Sequence, residues 1–133
     1  MSETHQLTDL QIALMRILWA RGQATVIEIC EALKPERGLA QTTVATLLSR
    51  LERRGVVEHE TRQRQFVYRA KVSEADVRHS MVREMTEQLF DGDVTELVSH
   101  LLSAREMAPG DIRRLKALLD HHAGTEEGKR HVG

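Results

Sequence analysis

Aromatic side chains make up only 3% of this 133-residue chain: Trp19, Phe66, Tyr68 and Phe90. A core must therefore be built from aliphatic residues, which the 41% hydrophobic content supplies. A single cysteine, Cys30, excludes a disulfide framework and any metal site of paired cysteines. No apolar run is long enough to span a bilayer, and the opening MSETHQ lacks a charged-then-apolar signal peptide. A cytoplasmic protein with no membrane partner is the expectation. There is no Gly-rich phosphate loop and no G-x-S-x-G. Seven histidines are scattered, and the one adjacent pair, His121-His122, diverges on a helix rather than sharing a metal. These absences predict no enzyme, no cofactor and no metal site.

Charge is almost balanced too, with a formal net of −1. That figure implies only weak non-specific attraction to nucleic acid, but the distribution is uneven. Residues 34–71 carry nine Lys and Arg against four Glu, a net of +5. Residues 1–33 carry two against four, and residues 72–133 eight against twelve. The positive charge is thus confined to one segment, where a focused phosphate-binding site would use it.

That segment is informative in itself. From Ala40, the run AQTTVATLLSRLERRG places Val44, Leu47, Leu48 and Leu51 at i, i+3, i+4 and i+7, the apolar stripe of one helix. The opposite face carries Thr42, Thr46, Ser49 and Arg53, flanked by Thr43 and Arg50, with Glu52 nearer the core edge. Short hydroxyls early and arginines late suit an end that touches base edges and an end that grips phosphate. The same face would equally suit an ordinary solvated helix, so its flanks decide. Gly55, after Arg53-Arg54, is placed to end the helix in the left-handed conformation. Val56-Val57 and Phe66-Val67-Tyr68 then read as two strands separated by HETRQRQ, a hairpin whose tip carries Arg62 and Arg64. Such a tip is either a solvated loop or a reach towards an adjacent phosphate.

Two further helices complete the unit. Leu7 to Ala20 has Thr8 and Gln11 spaced as a capping box, with Leu10, Leu14, Ile17 and Leu18 facing inward. Ala24 to Lys34 is apolar at Val26, Ile29, Cys30 and Leu33 and stops before Pro35. Helix, helix, exposed basic helix and hairpin form a winged helix-turn-helix over residues 6–71, a module that lays one helix in the DNA major groove.

Residues 72–123 read as three short amphipathic helices. The first opens at Ser73 with a cap to Asp76 and carries Val77, Met81, Met85 and Leu89. The second follows Asp91-Gly92-Asp93, caps with Asp93 and Glu96, and carries Leu97, Val98, Leu101 and Leu102. The third has Pro109 at its first position and Ile112, Leu115, Leu118 and Leu119 on its stripe. Three such helices bury their leucines poorly alone. They imply a homodimer through Met81, Met85, Leu89, Leu97, Leu101, Leu102, Ile112, Leu115 and Leu119; the alternative is a monomer whose layer folds back on the winged helix. Residues 124–133, GTEEGKRHVG, read as a disordered tail. The expected fold class is mainly α with a small β-hairpin wing, a DNA-binding domain followed by a C-terminal helical dimerisation region.

LTDLQIALMRILWARGQATVIEICEAL, GLAQTTVATLLSRLERRGVVEHE and RQFVYRAKVS together resemble the penicillinase-repressor family of bacterial regulators (BlaI/MecI, with CopY-type relatives). The resemblance runs from Leu7 to about Leu119, and its most specific parts are Leu18-Trp19, the TTV…LLSRLERRG helix and the F-V-Y strand. It implies repression through a dimer on a dyad-symmetric, TACA/TGTA-like operator, contacted through Gln41, Thr42, Thr43, Thr46 and Arg50. Three departures matter. The β-lactam-responsive members are cleaved at an Asn-Phe bond that aligns here with His100-Leu101, a candidate proteolytic site for a regulatory protease. CopY-type members carry a C-terminal cysteine cluster for metal, and this chain has none. Gln41 stands where many relatives have an aromatic residue. A winged-helix protein-interaction module without operator specificity is the alternative function.

Overall fold

A computed structural model describes residues 6–103 and 107–132, with backbone alone for residues 125–132. The first helix, α1 (Asp9–Arg21), starts at a complete capping box: the Gln11 amide donates to Thr8 Oγ1 at 3.2 Å, and Thr8 N–H donates to Gln11 Oε1 at 3.0 Å. Because its side chain is bonded back in this way, Gln11 is buried; Met15 also faces inward, while Leu10, expected there, is only half-buried. Strand β1 (Ala24–Thr25) and helix α2 (Val26–Leu33) replace the single helix expected from Ala24. Thr25 ends the strand and caps the helix, in a second capping box with Glu28.

Helix α3 (Gln41–Arg53) ends as the sequence requires. Gly55 adopts φ +78°, Gly55 N–H bonds the Glu52 carbonyl, and Val56 N–H bonds the Leu51 carbonyl at 2.9 Å. This is the paired Schellman arrangement that a left-handed glycine allows. Strands β2 (Val57–Arg62) and β3 (Gln65–Ala70) are longer than the two apolar runs implied. Most of HETRQRQ is therefore strand rather than loop. The sheet is antiparallel in the order β1-β3-β2, so the expected hairpin gains a third strand through Ala24↔Tyr68 and Thr25↔Val67.

The core is aliphatic, as the shortage of aromatics demands. Leu14, Met15, Leu18, Ile29, Leu33, Val44, Leu48, Leu51, Val56 and Val57 are completely buried, each large side chain contributing about 1.5–3 kcal/mol by leaving water. Tyr68 from β3 and Val77 close it.

Val77 lies on α4 (Glu74–Phe90), which shifts the expected domain boundary. The first compact unit ends at Met85 and the second starts at Thr86, instead of a division at 71/72. The reason is packing. Trp19 Nε1 donates to the Val72 carbonyl at 2.9 Å, Val77 is buried in the core, and Met81 packs against it. Met81, expected in a dimer interface, is thereby part of the winged-helix unit.

In the second unit, Asp91 and Gly92 form a left-handed turn, and Asp93 caps α5 (Val94–Ser103) by accepting the Glu96 amide at 3.1 Å. Helix α6 (Asp111–Val132) begins two residues later than Pro109. Gly110, at φ +92°, turns the chain ahead of it, and the Asp111 carboxylate accepts the Ala108 amide at 2.7 Å. The backbone of α6 runs on across Gly124 to Val132. No residue of α5 is buried. Leu89, Leu101, Leu102, Ile112, Leu118 and Leu119 are exposed, while Leu97 and Leu115 are half-buried. A groove of about 320 Å³ runs along Val98, Leu101, Leu102, Leu115 and Leu118.

Candidate nucleic-acid interface

Burial of Val44, Leu48 and Leu51 fixes which way α3 faces. Gln41, Thr42, Thr43, Thr46, Ser49, Arg50, Arg53 and Arg54 are all exposed. Ala40 occupies the N-cap, offers no side-chain oxygen, and no acidic residue lies in the first turn. The positive end of this helix is thus uncompensated and its first N–H groups are open to a phosphate oxygen. Sequence reasoning missed this end, although the alanine before QTTV was the signal.

The exposed groups are not equally free. Thr46 Oγ1 donates to the Thr42 carbonyl at 2.9 Å. Arg54 Nη2 donates to the Gln6 carbonyl at 2.6 Å, which ties the helix end to the N-terminal segment. Arg50 and Arg53 have no acidic partner among the described residues.

The wing is shaped by strand alternation. Val57, His59 and Thr61 share one face with Phe66, Tyr68 and Ala70, while Glu58, Glu60 and Arg62 share the other with Arg69. On the second face Arg62 pairs with Glu60, and Arg69 Nε donates to Glu58 Oε1 at 2.8 Å. That bond to Arg69 holds the Glu58 carboxyl below its ordinary value. Arg62 is thus the last residue of β2 and already paired. The tip proper is Gln63-Arg64, with Arg62↔Gln65 closing the ladder. Of the two tip arginines expected, only Arg64 occupies the turn, and it has no acidic partner among the described residues. Exposed pairs such as Glu60–Arg62 are worth about 0–1 kcal/mol, so Arg62 can exchange its carboxylate for a phosphate at little cost.

On the first face a contact joins the helix to the wing. His59 Nδ1 lies 2.7 and 2.8 Å from the two Glu52 carboxylate oxygens, the geometry of a ring N–H donating to both. The His59 ring stacks on Phe66 with centroids 4.1 Å apart and meets Tyr68 at 5.2 Å. Burial, and then the Glu52 charge, push the Tyr68 phenol above its ordinary value. Both Glu52 carboxylate oxygens are thus engaged by the His59 ring rather than aimed at an incoming ligand. The last turn of α3 and β2 are held at one separation.

No group of three His, Cys, Asp or Glu side chains among the described residues could hold a metal ion, and none of their helices is long and apolar enough to cross a membrane. His100 and Leu101 are exposed on α5, with the His100 ring 5.9 Å from that of Phe90.

The penicillinase repressor family model matches residues 7–121. The chain is 28% identical over 126 residues to a 16.5 kDa uncharacterized protein of Latilactobacillus sakei, covering 95% of this chain and 86% of that one. It is 22% identical over 127 residues to the penicillinase repressor of Bacillus licheniformis, covering 96% and 99%. The solved DNA-binding domain of the repressor BlaI matches 57% of this chain and 93% of its own length, at 26% identity and a TM-score of 0.50.

Proposed function

The chain belongs to the penicillinase repressor family, and from that premise we propose that it is a DNA-binding transcriptional repressor acting as a homodimer on a dyad-symmetric operator. The family is one of repressors, not enzymes. The observation that carries the reading is the exposed face of α3, which presents hydroxyls, an amide and unpaired guanidinium groups, and no carboxylate. In this reading α3 enters the major groove. Gln41, Thr42, Thr43, Thr46, Ser49 and Arg50 meet base edges, while Arg53 and the wing-tip Arg64 neutralise phosphates. Arg54 and Arg62 take a secondary part because each already has a partner.

The dimer rests on the second unit. A ten-residue helix, VTELVSHLLS, with no buried residue leaves its leucines in water unless a second copy covers them. Leu89, Leu97, Leu101, Leu102, Ile112, Leu115 and Leu119 make that interface. Release from DNA follows cleavage by a regulatory protease at the exposed His100-Leu101 bond. Because this bond lies inside α5, the helix must unwind locally before the chain can enter a protease.

Binding of the full chain to palindromic promoter fragments, titrated against salt, tests the proposal. Affinity that differs by orders of magnitude between fragments, and falls steeply with salt, is the expected result. Equal affinity for unrelated duplexes would refute it.

A further inference from the structure

The wing is supported over only part of its length. Strand β1 pairs with β3 at Tyr68 and Val67 and goes no further. Beyond the rung Glu60↔Val67, residues 61–66 form a two-stranded arm, with Thr61↔Phe66 and Arg62↔Gln65 leading to the Gln63-Arg64 tip. A two-stranded hairpin is marginal by itself. The tip lies four residues past His59, about 13 Å along an extended strand, so a swing of about 10° at that root moves Arg64 by about 2 Å.

A relay of side chains steadies the root. Glu52, in the last turn of α3, holds His59 Nδ1 at 2.7 and 2.8 Å. The His59 ring stacks on Phe66, the arm residue next to Val67, with centroids 4.1 Å apart. His59 pairs with Tyr68, so Phe66 is its diagonal neighbour. The Phe66 ring also meets Tyr68 at 6.3 Å, yet it is 48% exposed and adds little to the core. Its packing surface is the imidazole. Resting on the operator reading above, we propose that His59 is a positioning residue that aims the wing tip: bonded to Glu52 and stacked on Phe66, it fixes the arm to α3 so that Arg64 meets a phosphate while the helix lies in the groove. The buried Val44, Leu48 and Leu51 make α3 a firm anchor for that relay. An arm already aimed loses little freedom on docking, whereas a swinging one must be ordered at the expense of affinity. Neither His59 nor Phe66 has to touch DNA.

Phe66→Ala cuts the relay at its last link, outside the core. In the free full chain, the NMR order parameter of the Arg64 amide should fall from about 0.85 to below about 0.6. Affinity is then measured on a duplex enriched from random sequence with the wild-type chain. Phe66→Ala should lose the same factor as Arg64→Ala, with a salt slope flatter by about one unit. In an Arg64→Ala background it should cost nothing more, because no cation is left to aim. Glu52→Gln and Glu52→Ala remove the same charge, but only Glu52→Gln keeps an oxygen for the His59 N–H. It should bind more tightly than Glu52→Ala by that same factor. An unchanged order parameter, a Phe66→Ala loss that persists without Arg64, wild-type affinity in Arg64→Ala, or equal affinity of the two Glu52 variants would each overturn the assignment. Failure to enrich any sequence would overturn the operator reading and the aiming role with it; the order parameters of the free protein tell that failure apart from a broken relay.

Discussion

Replacing the wing tip Gln63-Arg64 by Asn-Gly should make the protein more stable and a weaker DNA binder. Both tip residues sit at positive φ, +50° and +66°, in a two-residue loop closed by Arg62↔Gln65. Two-residue hairpins of this kind favour Asn-Gly because both central residues must be left-handed. Left-handed backbone costs a non-glycine residue about 1–2 kcal/mol. Against the relief stands the freedom glycine adds to the unfolded chain, about 0.4–1 kcal/mol. The double substitution should therefore gain about 1 kcal/mol. In a unit this small that raises the melting temperature by about 4–8 °C, read by circular dichroism on the full chain. The same change deletes the unpaired tip cation. The slope of log affinity against log salt should flatten by about one unit, measured by fluorescence anisotropy on an operator duplex. Gln63→Asn alone separates the effects, since it relieves part of the strain and keeps Arg64. A double variant that melts no higher than the wild type would refute the strain argument. One whose salt slope equals that of Gln63→Asn would remove Arg64 from the interface.

Arg53→Ala should weaken binding to all sequences by a similar factor and flatten the salt slope by about one unit, because its guanidinium has no acidic partner and faces outward; a sequence-selective loss would mean that Arg53 reads bases. Leu101→Asp should lower operator affinity and reduce the mass seen in sedimentation, by placing a charge in the leucine face of α5; unchanged affinity and mass would move the interface elsewhere. Glu28 accepts the Thr25 backbone N–H, and that bond holds its carboxyl below the ordinary value. A value lowered on folding gives stability that is complete above the ordinary carboxylate range and lost as pH falls through the folded value. The melting temperature of Glu28→Gln should therefore fall less than that of the wild type between about pH 5 and about pH 3; parallel curves would contradict this.

Much of the winged unit was legible because its signals are local. One period of Val44, Leu47, Leu48 and Leu51 sets both the core side and the exposed side of α3, and Gly55 follows where the helix must stop. The capping pairs at Thr8, Ser73 and Asp93 form as their spacing dictates. What was not legible depends on partners distant in sequence. Ala24 and Thr25 have no strand pattern of their own and become β1 only by pairing with Tyr68 and Val67. The Thr25-x-x-Glu28 box was present as a start signal, one residue inside the helix expected from Ala24. The stripe on α4 says that Met81 is buried without saying against what, and the α1 core claims it. Arg54 reads as a free cation until Gln6 is brought beside it.

The bond from Trp19 to the Val72 carbonyl makes the molecule its own optical instrument. It is the one tryptophan in the chain, and it lies half-buried within the first unit. Its emission follows the integrity of residues 6–85. Helical signal, by contrast, also follows α5 and α6. Loss of tryptophan signal and loss of helical signal then become two clocks running on one sample. The interval between them measures how far the winged-helix unit outlasts the helices that follow it.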